Sequence, residues 1–563
     1  MKKILSILFF ASVLFGTGCQ KGFLDINNNP FAVTKLNPTS MLTNVELSAG
    51  GLFGGSLNSN AFGSFIQHTT SRELDNYTMG ASNFTTYMNN VWSNGYASFL
   101  LNSDHLISVA AEQPEFMMHG AIAKALKGYV FMVMTDMWGD IPYSEANKPG
   151  IIKPVTDPSD AIYNALLALM KEAKADFIAL KGMSATSFTN PGARDIYYKG
   201  NIDLWIKAVN TLQLKLLVQS RKASSKVEGW QSTLTALLSE NNFIGNGEDL
   251  QYPHTATQSP RDERNGRYIG EYEAAQKGTY ISPFLYEIMK GYTFNMKANP
   301  FAGISDPRVP YYWVNQLTPT GTAQNITDYR DGAFVTRMMA TNSGFGDSNQ
   351  DNSMTCIGIY PVGGKYDDGS AGSIRGTGTG ICPEKMMQAY SVPFMKAELI
   401  LAGAVSGDAR AEFKNALSAA IYHVNAVSQA ARGTQTVPTL TDANTADFQD
   451  EVLARYDAAS ANGKMEIVMT QKWIANYYNC MEAYSDLRRT GYPVTFKGDN
   501  QEALSPNGHA TGQDPNPAEI PLASYNTLPR ILFYSVRETE TNPENVKNGR
   551  DVTKSGHVFW DVQ

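Results

Sequence analysis

Residues 245–382 combine aromatic rings with side chains that form hydrogen bonds. One face of a sugar ring is apolar and stacks on tryptophan or tyrosine, while its hydroxyl groups need polar partners such as asparagine, aspartate, glutamine and arginine. Aromatic residues near the edge of a core also pack into that core, so packing is the alternative for each of them. We predict that five side chains contact a ligand: Tyr311, Trp313, Tyr329, Arg337 and Tyr360.

The motifs of common catalytic chemistries are absent from the sequence. The seven histidines never form the H-E-x-x-H pair of a zinc protease, and no two cysteines have C-x-x-C spacing. There is no G-x-S-x-G elbow, and the glycines of residues 376–380 match neither a dinucleotide-binding loop nor a phosphate loop. The two carboxylates of a glycoside hydrolase are paired in space, so the sequence leaves that chemistry open. We expect a binding protein with no enzymatic activity and no cofactor.

One short stretch has part of the pattern of a calcium-binding loop. Asp347, Asn349 and Asp351 supply oxygen atoms at alternate positions, as an EF-hand loop does. However, Asn352 stands where the turn glycine is required, and Gly358 stands where the bidentate glutamate is required. We therefore expect no metal site here.

The N-terminus has the pattern of an export signal that ends at a cysteine. Two lysines precede a mostly apolar run from Ile4 to Phe15, and small residues then lead to Cys19. This pattern predicts a signal peptide over residues 1–18. The run is shorter than the roughly 20 residues that a bilayer-spanning helix needs. A cysteine directly after small residues is typical of a lipoprotein, so we expect Cys19 to be acylated.

The chain is acidic after export. The 563 residues include 46 lysines and arginines and 53 aspartates and glutamates. Loss of the first 18 residues removes two lysines and changes the formal net charge from −7 to −9. No basic block is present to neutralise phosphate groups, so nucleic acid is not an expected partner.

Three cysteines remain inside the chain, which is too few for a disulfide framework. Cys356 and Cys382 flank a glycine-rich stretch and could pair. They could equally be buried thiols, and this is the interpretation that we favour. We also expect Cys480 to be a buried thiol.

Helical patterns lie on both sides of the candidate binding segment. Hydrophobic residues recur at offsets of 0, 4, 7 and 11, which places them on one face of a helix. The three clearest stripes are Ile122, Leu126, Tyr129 and Val133; Ile162, Leu166, Leu169 and Ala173; and Trp205, Val209, Leu212 and Leu216. Residues 245–382 show no sustained period and predict loops and short strands. We expect a single body over residues 19–563, with a helical scaffold at about 40–242 and 385–490 that positions the irregular segment.

Residues 137–146 form the most distinctive motif and read M-W-G-D-I-P-Y-S-E-A. Gly139 and Pro142 should end the preceding helix and form a fixed turn, with Trp138 packed beside it. Four further motifs follow in order: N-I-D-L-W-I-K-A-V-N-T-L-Q-L-K-L-L at 201–217, S-D-P-R-V-P at 305–310, D-L-R-R-T-G-Y-P at 486–493, and a closing stretch from Arg530 to Asn545.

Together these motifs resemble those of the SusD/RagB family, the surface nutrient-binding lipoproteins of Gram-negative bacteria. The resemblance implies a mainly α-helical SusD-like fold with tetratricopeptide-like helical hairpins and a long irregular insertion of loops and short strands. It also implies a lipid-anchored protein on the surface of the outer membrane.

The same resemblance implies capture of an oligomeric nutrient, most simply a glycan, and its delivery to a SusC-like TonB-dependent transporter. A peptide ligand, as in RagB-like lids, is the main alternative. A surface glycoside hydrolase and a structural scaffold are the remaining alternatives, and the long irregular segment argues against a pure scaffold.

The lipid anchor gives the first testable prediction. Because acylation needs the thiol of Cys19, Cys19→Ala should abolish lipidation and leave the protein in the aqueous phase of a detergent partition. Intact-mass measurement of the N-terminal peptide checks the result. A fatty-acyl mass on the variant would show that the anchor site is elsewhere.

Overall fold

The computed structural model describes residues 37–54, 62–71, 82–274, 277–293, 299–322, 329–336, 352–494, 529–547 and 549–562. Cys19, the predicted ligand contact Arg337 and the partial calcium loop at 347–351 lie outside the described residues.

Helices form most of the described structure. The α-helices of six residues or more are α1 (Pro38–Gly51), α2 (Ser82–Ser93), α3 (Leu101–Glu112), α4 (Met117–Trp138), α5 (Ser159–Lys181), α6 (Ile202–Gln219), α7 (Trp230–Glu240), α8 (Pro283–Lys290), α9 (Ser391–Leu401), α10 (Ala409–Ala431), α11 (Asp442–Ala458), α12 (Ala461–Ala475), α13 (Cys480–Thr490) and α14 (Val536–Thr541). None of the described helices is long and apolar enough to span a lipid bilayer.

Helix α4 is almost entirely buried and packs against α1, α3 and α5. Two glycines allow this close packing. A Cβ atom on Gly120 would lie 2.5 Å from the Cβ of Ala110, and one on Gly128 would lie 2.7 Å from the Cε of Met170. Helices α5, α6 and α7 continue the stack, and α9 packs against α10, α12 and α6. Consecutive helices thus pack on one another as in tetratricopeptide repeats, and the prediction of a mainly helical fold is confirmed.

Short antiparallel strand pairs connect the irregular segment to itself and to the helices. The strands are β1 (Thr69–Ser71), β2 (Leu250–Tyr252), β3 (Thr279–Ile281), β4 (Trp313–Val314), β5 (Tyr329–Asp331), β6 (Phe334–Thr336), β7 (Cys356–Ile357) and β8 (Glu384–Met387), paired as β1–β3, β2–β8, β4–β7 and β5–β6. One hydrophobic cluster extends from Met41 to Trp560, so helices and irregular segment share a core.

The motif at 137–146 binds the C-terminal part of the chain. Trp138 is fully buried, and its Nε1 donates a hydrogen bond to the carbonyl oxygen of Phe533 at 2.8 Å. The backbone nitrogen of Leu532 donates to the carbonyl oxygen of Met137 at 2.8 Å. The ring of Trp138 also meets that of Trp92 edge-on, with 5.3 Å between centroids. The end of α4 therefore holds a segment almost 400 residues away in sequence.

The turn after Trp138 requires glycine and caps the next helix. Gly139 has a φ of +74°, and a Cβ atom there would lie 2.3 Å from the carbonyl oxygen of His557. The Oδ1 of Asp140 accepts a hydrogen bond from the backbone nitrogen of Ser159 at 2.7 Å, at the start of α5. The predicted turn is thus present, and it fixes both the C-terminal segment and the entry into α5.

Seven charged side chains from five parts of the fold form one continuous chain of ion pairs. All of them are buried except Arg221, which is 15% exposed. The N···O distances are 2.6 Å for Lys215–Glu482, 3.1 Å for Lys472–Glu482, 2.7 Å for Lys472–Asp486, 2.7 Å for Arg489–Asp486, 2.8 Å for Arg489 Nη2–Glu398 Oε2 and 3.1 Å for Arg221–Glu398.

Pairing decides the protonation state of these buried groups. Burial by itself would raise the pKa of the Glu398 carboxyl, but the positive charge and hydrogen bonds of Arg489 have the larger effect. The pKa of Glu398 is therefore below its ordinary value. Burial lowers the pKa of Lys472, yet Asp486 and Glu482 raise it above its ordinary value. Glu398 and Lys472 therefore stay charged inside the protein, and the ion pairs together connect α6, α9, α12 and α13.

The contacts of Trp138 give the second prediction. Trp138→Ala removes a fully buried ring and should lower the free energy of unfolding by about 3–5 kcal/mol. Urea unfolding followed by circular dichroism measures the change. Trp138→Phe, which keeps an aromatic ring but loses the hydrogen bond to Phe533, should lower the free energy of unfolding by a smaller amount. An alanine variant with unchanged stability and lost ligand binding would instead make this turn a ligand site.

Buried His68 gives a prediction about pH. Its Nε2 donates to the carbonyl oxygen of Trp473 at 2.9 Å, and burial lowers the pKa of the ring from 6.5 to about 3. The unfolded chain then binds a proton that the folded chain rejects, so stability falls as pH falls from 6.5 toward 3. This residue should contribute a slope of up to about 1.4 kcal/mol per pH unit.

Urea midpoints measured across that range should give a shallower slope for His68→Gln than for the wild type. His105→Gln, which replaces an exposed histidine, serves as the control. Equal slopes for the wild type and His68→Gln would contradict the assignment.

Candidate ligand-binding cleft

The structure places Trp313 and Tyr329 in one buried aromatic cluster. Trp313 is 1% exposed and Tyr329 is 0% exposed. The rings of Tyr286 and Phe334 lie between 5.6 and 6.1 Å from both of them, centroid to centroid. Rings this deeply buried present no face on which a sugar could stack in this conformation. Ligand contact by these two residues stays a prediction, and their visible role is packing.

Tyr360 belongs to a second buried group. Its hydroxyl accepts a hydrogen bond from the ammonium group of Lys385, and its ring lies 5.0 Å from that of Tyr312. Lys385 also donates to the carbonyl oxygens of Tyr477 at 2.7 Å and Ala475 at 3.2 Å. Burial lowers the pKa of Lys385 to about 7. These contacts fasten β8 to the end of α12, and ligand contact by Tyr360 also stays a prediction.

Tyr311 supports a residue that does reach the surface. It is 2% exposed, and its hydroxyl donates to the carbonyl oxygen of Pro438 at 2.6 Å. Its ring meets the ring of Tyr366 at 66°, with 5.0 Å between centroids. Tyr366 itself is only half-buried. Of the four predicted aromatic contacts, Tyr311 is therefore the one that adjoins an accessible aromatic ring.

Tyr366 lines an open cleft of about 570 Å³, within the size range of about 300–1,000 Å³ that is usual for ligand pockets. One wall comes from the irregular segment and the other from the loop after α10. The lining residues are Lys365, Tyr366, Asp367, Asp368, Thr377, Gln435, Thr436 and Pro438. The cleft thus combines an aromatic ring with hydroxyl, amide, ammonium and carboxylate groups.

The two walls of the cleft are tied together by one side chain. The Oε1 of Gln435 accepts a hydrogen bond from the backbone nitrogen of Tyr366 at 2.9 Å, and its Nε2 donates to the carbonyl oxygen of Gly364 at 3.0 Å. The backbone nitrogen of Asp367 donates to the carbonyl oxygen of Pro310 at 2.9 Å. The ring of Tyr366 is consequently held in place before any ligand arrives, which lowers the entropy lost on binding.

The carboxylates of the cleft shape its loop and make it negative. Asp367 accepts hydrogen bonds from the side chain of Asn315 at 2.8 Å and from its backbone nitrogen at 3.2 Å, while burial raises the pKa of Asp367. The hydrogen bonds from Ser370 lower the pKa of Asp368. Lys365 donates to the hydroxyl of Ser370 at 3.2 Å. Two acidic groups and one basic group therefore line the cleft.

Sequence reasoning missed Tyr366, although it lies within the predicted segment. The stretch K-Y-D-D-G at 365–369 has the aspartate and glycine residues typical of a turn, which would expose an aromatic neighbour. That signal does not separate Tyr366 from the other tyrosines of the segment, because exposure depends on Gln435 and Tyr311.

The three internal cysteines, Cys356, Cys382 and Cys480, are buried thiols, as predicted. Within the described ranges, no three histidine, cysteine, aspartate or glutamate residues form a group that could hold a metal ion.

A SusD-like family, described as starch-binding and associating with the outer membrane, matches residues 30–510 of the chain. No curated protein matches the chain.

Several solved structures share its fold. A chitin-binding protein is 21% identical with a TM-score of 0.67, covering 94% of this chain and 100% of that one. A SusD homologue from Bacteroides fragilis NCTC 9343 is 17% identical with a TM-score of 0.64, covering 94% and 99% of the two chains. A chitin-binding SusD homologue from Flavobacterium johnsoniae is 18% identical with a TM-score of 0.62, covering 93% and 99%. At these identities the likeness shows the fold alone, and the predicted SusD-like fold is confirmed.

Proposed function

We propose that this chain, which belongs to the SusD-like family, captures a glycan at the cell surface in the cleft around Tyr366. The observation that carries the proposal is the half-buried ring of Tyr366, held from below by Tyr311 and along its backbone by Gln435. A fixed aromatic face beside hydrogen-bonding groups is the combination that a sugar ring requires.

The surroundings of Tyr366 favour a sugar as the ligand. Thr377, Thr436 and Gln435 line the same cleft as the ring and bring hydroxyl and amide groups to it. The family is described as starch-binding, and two structures with the same fold are described as chitin-binding. These descriptions are of the relatives, and they support the proposal that this chain also binds a carbohydrate.

The charges of the cleft narrow the class of glycan. Asp367 and Asp368 outnumber Lys365, so a sulfated or uronate-rich chain would bring like charges together. A neutral oligosaccharide meets no such repulsion. We therefore expect neutral glycans to bind more tightly than anionic ones of equal length, with the difference reduced by salt.

In this proposal the protein delivers its ligand and does not transform it. Cys19 carries the lipid that holds the chain on the outer membrane, and a SusC-like TonB-dependent transporter accepts the glycan from the cleft. A protein that passes its ligand on must release it, and an open cleft buries little ligand surface. Both considerations predict a dissociation constant in the micromolar range, which corresponds to a binding free energy on the order of −8 kcal/mol.

Tyr366→Ala tests the proposal. Isothermal titration calorimetry of the purified mature chain against starch and chitin oligosaccharides should show a ligand that the variant binds at least about tenfold more weakly, a loss of about 1.4 kcal/mol. Because Tyr366 is half-buried, the melting temperature should change little. Chromatography of the recovered oligosaccharide should show the intact starting material.

Tyr422→Ala is the matched control, since Tyr422 is 42% exposed on α10 and lies outside the cleft lining. Its glycan affinity should equal that of the wild type. Unchanged binding by Tyr366→Ala would place the site elsewhere on the surface. Binding of a peptide panel with no glycan binding would favour the RagB-like alternative, and cleavage products would identify a hydrolase.

A further inference from the structure

A second concave surface lies on the helical scaffold, away from the irregular segment. It is a groove of about 380 Å³ between α5 and α7, with α6 at its base. Its walls include the aliphatic side chains Ala175 and Ile178 of α5 and Ala236 and Leu237 of α7. Ile178 is 53% exposed. The lining contains no aromatic residue, so the groove lacks the stacking surface that favours a sugar in the cleft.

A buried carboxamide without its full set of partners lines this groove. Gln213 of α6 is 2% exposed, and its Nε2 has no hydrogen-bond partner among the residues that the structure describes. A buried donor left unpaired is costly, and such groups normally find a partner. A carboxamide supplies both a donor and an acceptor, which are complementary to the C=O and N–H of a peptide unit. The chemistry at the base of the groove therefore suits a peptide backbone.

The rim of the groove carries an unbalanced positive charge. Lys174 forms an ion pair with Glu240, which also accepts a hydrogen bond from Asn210 at 3.1 Å. Lys171, one turn away on α5, is exposed, and no ion pair involves it in the described part of the chain. The nearby acidic residues of α5, Glu172 and Asp176, pair with Lys124. Although the chain has a formal net charge of −7, the rim around Lys171 is locally positive and therefore suits a carboxylate.

We propose that this groove binds an extended acidic peptide segment of a partner protein. The carboxamide of Gln213 pairs with one peptide unit, an aliphatic side chain fills the space between Ile178 and Leu237, and a carboxylate reaches Lys171. This site is separate from the cleft around Tyr366 and does not depend on the glycan proposal.

Fluorescence anisotropy of the purified mature chain tests this site. The probe is a fluorescein-labelled hexapeptide of alternating leucine and glutamate, compared with leucine–glutamine and leucine–lysine versions at low ionic strength. We expect the acidic peptide to bind in the micromolar range and the other two to bind about tenfold more weakly or not at all.

Gln213→Met keeps the length of the side chain and removes its polar atoms, and it should weaken acidic-peptide binding about tenfold. Lys171→Glu should do the same and should strengthen binding of the leucine–lysine peptide. Because Lys171 is exposed, this variant tests the site even if Gln213→Met is destabilised. Lys414→Glu, an equal charge change at an exposed position of α10, should bind as the wild type does. Tyr366→Ala should also retain peptide binding.

Several results would overturn the proposal. These are no binding of the acidic peptide, equal binding of all three peptides, and binding that survives both Gln213→Met and Lys171→Glu. Self-association in sedimentation velocity that Lys171→Glu abolishes, without peptide binding, would assign the groove to a second copy of the chain instead.

Discussion

The chain of buried ion pairs is the interaction on which the rest of this structure depends. Charges taken out of water are costly, and removing one partner of a buried pair typically destabilises a protein by about 3–5 kcal/mol. Here each buried charge touches at least one opposite charge, and the pairs extend across helices that are far apart in sequence. In the observed arrangement of these helices every one of the seven charges has an opposite partner, and an arrangement that left one of them buried and unpaired would be less stable. Its members are Lys215, Arg221, Glu398, Lys472, Glu482, Asp486 and Arg489.

The family motifs supply most of the side chains that fasten the fold. Asp486 and Arg489 belong to the D-L-R-R stretch, and Trp138 connects the end of α4 to the C-terminal segment. In the S-D-P-R-V-P motif, Asp306 and Arg308 form a buried pair that also bonds Gln471 at 2.8 Å. Within the described residues, these motif side chains point into the core. The motifs therefore identify the family through its architecture, whereas the site that we propose for the ligand is built from residues outside them.

A rigid helical body carrying a variable segment explains how the proposed site is built. Tyr366 lies on a loop, yet hydrogen bonds from Gln435 and packing on Tyr311 tie that loop to the scaffold. Loops held in this way can change sequence, and hence specificity, without disturbing the core. The groove beside Gln213 lies on the scaffold itself, so a partner bound there would leave the cleft free to bind glycan.

The sequence alone determined the helical scaffold, because the 3.6-residue spacing of hydrophobic side chains is a local property. It also located the turn at Gly139, since glycine and proline restrict the backbone wherever they occur. It placed the candidate binding segment at 245–382, and the cleft wall around Tyr366 lies there. The sequence did not determine which aromatic ring is accessible, because exposure depends on contacts between distant residues. Trp313 is covered after its strand pairs with Ile357, whereas Tyr366 stays half-buried beside Gln435, 69 residues later in the chain. Only the tertiary structure brings those neighbours together, and so only the tertiary structure separates fully buried rings such as Trp313 from half-buried rings such as Tyr366.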